Sequence, residues 1–199
     1  MLPTYVGSNC SNGNFYQRCY STIARCNIVI GNMKNDLDTR EAKDILGTSY
    51  ALRGICYYQL LRLCCPPVGS TDAQLGVPLV TEFDMEAKPL RSTIDQTIAQ
   101  AESDMKKAID YDVQNELYFF NSDVMKGYLA RLYFWSQRYG EAKEMALDVL
   151  KRHPLLEGED YETMMKAYDG MAGNMLFRVC KLDKSYSTTN SYLAARPIS

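Results

Sequence analysis

The chain has 199 residues, 46% of them hydrophobic, which is enough for one domain with a sizeable core. Its formal net charge of -2 carries no basic block, so no nucleic-acid partner is expected. No apolar run approaches the roughly 20 residues of a membrane-spanning helix, and the opening MLPTYVGSNC has neither the basic nor the apolar segment of a signal peptide.

Over residues 14–33, Tyr16, Tyr20, Ile23, Asn27 and Ile30 recur at helical spacing, with one polar residue set in the stripe. A second helix is predicted from about Glu41 to Leu63, with Glu41 and Asp44 in its first turn, where the helix dipole favours acids. Its stripe reads Ala42, Ile45, Ser49, Leu52, Cys56, Leu60 and Leu63, broadened by Leu46, Tyr50 and Tyr57. Gly47, Ala51 and Gly54 share nearly one face, which invites close approach by another helix. Pro66 and Pro67 stop this helix. The run LGVPLVTE is predicted to be extended, because the residue before Pro78 is biased away from helix.

KPLRSTIDQ then opens a third helix, with Thr93 and Gln96 as a capping box and Ile94, Ile98, Ala101, Met105, Ala108 and Ile109 as its core stripe. A fourth helix begins near Asn121 and Ser122, with Val124, Tyr128, Leu132 and Trp135 along one flank. A fifth follows from about Gly140, with Pro154 just beyond it, and a shorter sixth spans 161–168. NMLFRVC reads as a strand without a clear partner, followed by an unpatterned tail. A strand must pair its backbone groups, so the chain looks cut off.

Seven cysteines, Cys10, Cys19, Cys26, Cys56, Cys64, Cys65 and Cys180, cannot close a disulfide framework, and no C-x-x-C pair occurs. Those within the apolar segments read as buried thiols rather than zinc ligands, and nothing favours a vicinal Cys64–Cys65 bridge. The sole histidine, His153, reads as a solvated helix-end residue rather than a base. The clustered carboxylates of GEDYE and DLDTREAKD read as solvation and dipole complement rather than a glycosidase pair. No Walker loop, G-x-G-x-x-G or EF-hand loop is present. No catalytic, cofactor-binding or metal residue is nominated, and the protein is expected not to be an enzyme. Asn27 and Arg53 read first as buried hydrogen-bond anchors, with Arg53 satisfying loop carbonyls of the GVPLV segment. Two stretches offer stacking surface for a sugar, Tyr5, Phe15 and Tyr16 at one point and Tyr118, Phe119 and Phe120 at another. For each, gap-filling between helices is the stronger expectation, and the ligand-binding residues stay open.

In SDVMKGYLARLYFWSQRYGEAKEMALDVLKRHP, Leu129, Ala130, Tyr133, Tyr139, Ala142 and Pro154 fall at tetratricopeptide spacing. Lys126 replaces that repeat's tryptophan and Gln137 a common glycine. The helices around 41–63 and 92–111 pair as an earlier hairpin with an oversized insertion. The succession YSTIARCNIVI, YALRGICYYQLLRL, LGVPLVTE, LRSTIDQTIAQAESDMKKAI, MKGYLARLYFWSQRYGEAKEMALDVL and NMLFRV resembles the SusD/RagB family. Matching positions are Asn27, Arg53, the Gly76–Leu79 run, Arg91, Asp104, Leu129-Ala130-Arg131 and Tyr139.

The resemblance implies a mainly α fold of tetratricopeptide-like hairpins, an α-α superhelix with a few short strands. It implies one SusD-like domain over 1–199 that lacks the family's C-terminal part, with a tetratricopeptide-like hairpin at 123–154. It further implies a surface-exposed lipoprotein of the Bacteroidetes outer membrane that binds an oligosaccharide or peptide nutrient, without cofactor, for a SusC-like TonB-dependent transporter. Cys10 does not qualify as the lipid-acceptor cysteine of such a lipoprotein, because no apolar segment precedes it. The alternative is an intracellular tetratricopeptide-like scaffold for protein partners. Any ligand contact from the Cys64–Val80 stretch is expected first in the loop between Pro67 and Gly76.

Overall fold

The computed structural model describes residues 12–35, 37–69, 75–84, 86–115, 118–166, 173, 175 and 176. The described residues form α1 (Asn12–Met33), α2 (Arg40–Cys64), β1 (Leu75–Pro78), β2 (Arg91–Thr93), α3 (Ile94–Tyr111), α4 (Ser122–Trp135), α5 (Tyr139–Leu150) and α6 (Gly158–Lys166). The chain divides into two compact units, Met1–Leu147 and Asp148–Ser199. Within the second, α6 buries Met164. The mainly α expectation is met, whereas the strand expected at NMLFRVC falls mostly outside the described residues, as do Tyr5, Cys10 and Cys180.

Local chemistry sets the helix ends. Thr39 caps α2 by accepting from the Ala42 N–H, and Asn121 caps α4 by accepting from Val124. Thr93 and Gln96 form the expected capping box at the start of α3. Asp112 closes α3 in the left-handed region, at φ 47°, which aspartate tolerates better than most residues. Gln137 occupies the same region at φ 61° in the α4–α5 turn, which explains why glycine is common there in the repeat.

The core lies around α2, which packs on α1 along one side and most extensively on α3 along another. Its buried face differs from the expected stripe. Leu46, Tyr50, Tyr57, Tyr58, Leu60 and Leu61 are buried, Ile45, Leu52 and Cys56 are half-buried, and Leu63 is exposed. A helix with neighbours on two sides buries more than one stripe, and its most buried line shifts toward the closer partner. That partner is α3, and the small residues admit it. A Cβ on Gly54 would come within 3.2 Å of the Ala101 carbonyl and the Asp104 Cβ, and one on Gly47 within 2.7 Å of Val113. On the α1 side, the Cys19 and Cys56 thiols meet. That hydrogen bond, with burial, pushes Cys56 far above the usual thiol range.

A buried polar cluster joins these helices. Arg53 Nε and Nη2 donate to both carboxylate oxygens of Asp104, at 2.8 and 2.7 Å. Its Nη1 donates to Asn27 Oδ1 at 2.7 Å and to the Thr81 carbonyl at 3.1 Å. Asn27 in turn donates to the Val80 and Glu82 carbonyls. Arg53, Asn27 and Asp104 are 4%, 2% and 0% exposed, so no water competes for these bonds. Burial opposes the charge on Arg53, but Asp104 outweighs it and holds the guanidinium firmly protonated. The expected carbonyl contact is therefore present, one residue beyond the GVPLV segment, and the larger partner is a carboxylate.

The same strap is held from two other sides. Tyr57 Oη accepts from the Val80 N–H and donates to the Val80 carbonyl, both at 2.8 Å, and Tyr20 Oη donates to the Pro78 carbonyl at 2.7 Å. Sequence reading extended the strap correctly but placed Arg91–Thr93 in the approach to a helix. Those residues instead pair antiparallel with β1, Leu75 opposite Thr93 and Pro78 opposite Arg91, with an irregularity between. Gly76 is required here, since a Cβ would run into the Thr93 carbonyl of β2 and into Thr97 Oγ1 at the start of α3.

A second cluster ties α3 to the α4–α5 turn. Glu102 accepts from Lys106, Tyr133 and Arg138, and Arg138 also pairs with Glu141. Burial would raise the Glu102 carboxyl, but the bonds from Arg138, Lys106 and Tyr133 outweigh it and hold the pKa at about 2.

Two outcomes are expected. Arg53→Met leaves the Asp104 carboxylate buried without a counter-charge and should destabilise the protein by about 3–5 kcal/mol. Adding Asp104→Leu should restore much of that loss, and urea unfolding of the two variants measures both effects. Glu102, whose folded pKa lies below its unfolded one, contributes stability above pH about 4.5, lost as pH falls toward about 2. The melting temperatures of wild type and Glu102→Gln should therefore differ at pH 6 and converge near pH 2.

Candidate functional site

The two stacking surfaces read from the sequence are only partly exposed. Phe15 packs against the core, while Tyr16 lies at the surface with its ring 4.7 Å from that of Tyr20. Phe120 also packs on the core and Tyr118 is half-buried, leaving Phe119 as the exposed ring. Most of the loop between Pro67 and Gly76 lies outside the described residues. Its described start is anchored, since Val68 packs on the core and its carbonyl accepts from Gln137 Nε2. Cys64 and Cys65 are half-buried against the core, and burial raises both thiols above their usual range. His153 follows α5, with its backbone N–H donating to the Val149 carbonyl. Among the described residues no group of three His, Cys, Asp or Glu side chains is placed to hold a metal, and no helix is long and apolar enough to cross a membrane.

Among the described residues of the first unit, two open concavities bear on binding. One, of about 600 Å³, is lined by Leu79, Pro89, Leu90, Arg91, Gln96 and Gln100, among others. Its arginine is already committed, donating to the Leu75 and Gly76 carbonyls. Gln96 is likewise engaged in the α3 cap.

The other, of about 530 Å³, runs between α4 and α5 and is lined by Ala130, Arg131, Phe134, Trp135, Tyr139, Ala142, Lys143 and Ala146. The alanines keep its floor low. Phe134 and Tyr139 meet edge-to-face at 5.6 Å across the turn. They are 60% and 58% exposed, and Trp135 is 45% exposed, so three aromatic rings line one groove without being core.

Beside the groove, a ladder of cations and rings links α4 to α2. Tyr58 and Arg62 lie one turn apart on α2, and Tyr128, Arg131 and Trp135 follow at spacings of three and four on α4, so each set shares a face. The Arg62 guanidinium lies 5.7 Å from the Tyr58 ring centre and 5.5 Å from that of Trp135. Arg131 lies 5.8 Å from Tyr58 and 5.9 Å from Tyr128. Burial keeps Tyr128 protonated, outweighing Arg131. The sequence pattern does not single out this face, since it sets Trp135 along one flank with Val124, Tyr128 and Leu132. Periodicity places residues on a face but does not say whether a neighbour covers it. The signal in hand was the Arg131–Trp135 spacing, which puts a cation beside the chain's only tryptophan.

Residues 4–134 match the SusD-like family described as starch-binding and associating with the outer membrane. Among solved structures, a SusD superfamily protein from Bacteroides thetaiotaomicron is 26% identical, with a TM-score of 0.68 over 81% of this chain and 37% of that one. A putative sugar binding protein from Bacteroides vulgatus is also 26% identical, with a TM-score of 0.60 over 73% of this chain and 37% of its own. A laminarin binding SusD-like protein shares the fold at 19% identity, with a TM-score of 0.57 over 71% of this chain and 30% of its own. The chain thus spans about a third of the length of these structures. No curated protein matches it. With two thirds of its residues inside the family match and the helical hairpins superposing on solved members, the chain belongs to the SusD-like family.

Proposed function

We propose that this chain forms part of a non-catalytic carbohydrate-binding component of an outer-membrane uptake system, a surface lipoprotein partnered by a SusC-like TonB-dependent transporter. Membership of a family described as starch-binding and outer-membrane-associated supports this reading, as do relatives named for sugar or laminarin binding. A single SusD-like domain with a tetratricopeptide-like hairpin at 123–154 belongs to the same proposal.

One observation carries the binding role of this piece of the protein: the open groove between α4 and α5 with exposed Phe134, Trp135 and Tyr139. A pyranose ring has an apolar face of C–H groups and a polar edge of hydroxyls. It needs a flat aromatic surface with hydrogen-bonding groups beside it. The Trp135 indole supplies the surface, and Arg131 and Lys143 supply donors at its margin.

Retarded migration of the chain in native gels containing laminarin or starch would support the reading. Trp135→Ala should weaken binding by about 5- to 10-fold, the equivalent of about 1 kcal/mol of lost stacking. Unretarded migration of the wild type in gels of several glycans would count against it.

A further inference from the structure

We infer that the ligand taken by the α2–α4–α5 face is an acidic glycan, whose carboxylates pair with the guanidiniums of Arg62 and Arg131 while a sugar ring stacks on Trp135. The inference deepens the carbohydrate-binding reading and rests on it.

The argument begins with unbalanced charge. The other arginines of the first unit whose side chains are hydrogen-bonded among the described residues, Arg40, Arg53, Arg91 and Arg138, are answered by an acid or by backbone oxygen. Arg53 holds Asp104, Arg40 holds Asp44 and two carbonyls, Arg138 holds Glu102 and Glu141, and Arg91 holds two carbonyls. Arg62 and Arg131 differ. Arg62 makes one long hydrogen bond, 3.4 Å to Gln59 Oε1, and otherwise meets rings. Among the described residues Arg131 meets the rings of Tyr58 and Tyr128 and no hydrogen-bond acceptor. Among the described residues neither has an acidic partner, and Lys143 on the groove wall has none either.

Geometry sets both guanidiniums against one ring. Both sit within 6 Å of the same Tyr58 ring, at 5.7 and 5.8 Å. Stacking on rings holds each planar fork in place with its N–H donors unspent, and such a fork matches a carboxylate bidentately. The positive charge of both guanidiniums favours an anionic ligand on this face. Tyr58 itself is fully buried, so the ring that both cations meet is held fixed by the core.

The rest of the ligand follows from the walls. Trp135 touches Arg62 and lines the groove with Arg131, so a ring lying on the indole would have its edge beside both cations. An extended acidic peptide would want backbone partners. Both walls here are helices whose N–H and C=O groups are mostly spent within the helix. A sugar needs only the ring face and the donors. A uronic acid combines that face with a carboxylate one bond from the ring.

The test compares an oligogalacturonide with its methyl-esterified form, which has the same backbone without the charge, by titration calorimetry on this chain. The acidic form should bind at least tenfold more tightly, and the difference should shrink as sodium chloride is raised. Arg62→Gln with Arg131→Gln should abolish the difference, whereas Arg131→Lys, which keeps the charge and loses the fork, should reduce it only in part. Trp135→Ala should weaken both forms. Equal binding of the two forms, or a preference that survives the double arginine variant, overturns the inference. So does a polyglutamate peptide that binds as tightly as the acidic glycan. Binding of neutral laminari-oligosaccharides alone sinks the acidic ligand and leaves the carbohydrate reading standing; silence toward every glycan removes both.

Discussion

The fold depends on how one buried guanidinium is answered. Arg53 projects from the middle of α2 into a region without water, where an unmet charge would cost several kcal/mol. Its bonds run to three separate parts of the chain: Asp104 on α3, Asn27 on α1 and the strap at Thr81. A guanidinium is flat and its donors diverge at fixed angles, so satisfying all three at once fixes the rotation of both neighbouring helices about α2. An aliphatic contact would tolerate a slip of one residue. This one does not.

Close packing and the ion pair are two aspects of the same arrangement. Asp104 reaches Arg53 because α3 lies against Gly54, where its Cβ would be 3.2 Å from an added methyl group. A larger side chain at that position would push α3 away and lengthen the bonds that neutralise the charge. Buried ion pairs add little net stability over well-packed apolar residues, while their disruption is expensive. The cluster therefore acts mainly in selecting one arrangement of α1, α2 and α3 over its near alternatives. Asn27 extends the selection to the Val80–Glu82 carbonyls, which belong to no helix or strand and have few other means of being satisfied.

Local signals made most of this legible. Helix boundaries followed from caps and prolines, as at Thr93 with Gln96 and at Pro66, because those are interactions among residues close in sequence. The small face of Gly47, Ala51 and Gly54 announced a close neighbour, and α3 is that neighbour. Asn27 and Arg53 stood out as polar positions in apolar stripes. Their mutual bond, and the Arg53–Asp104 pair across 51 positions of sequence, could not be read, because periodicity gives a residue's face and not its opposite number. The β2 strand was hidden for a related reason. Arg91–Thr93 is short and has no alternation of its own, and only pairing with β1 defines it. Trp135 differs again, since a large aromatic on a helical flank reads as core until the structure shows it 45% exposed, with Arg62 against its ring.

The contrast between the arginines is where structure and function separate. Arg53, 4% exposed, is fully answered from within the chain, and its exchange for another residue would be felt as stability. Arg62 and Arg131 are oriented by rings, which fix a guanidinium's plane without consuming its donors. The fold gains only modestly from such contacts, on the order of 0.5–1 kcal/mol each at a solvent-facing site. Two cations held against one ring with their donors free gain far more from incoming carboxylates than from the rings beside them. Side chains whose strongest interaction is still unmade in the folded chain are preorganised for something outside it. In this unit they lie beside exposed Trp135, at the edge of the groove between α4 and α5.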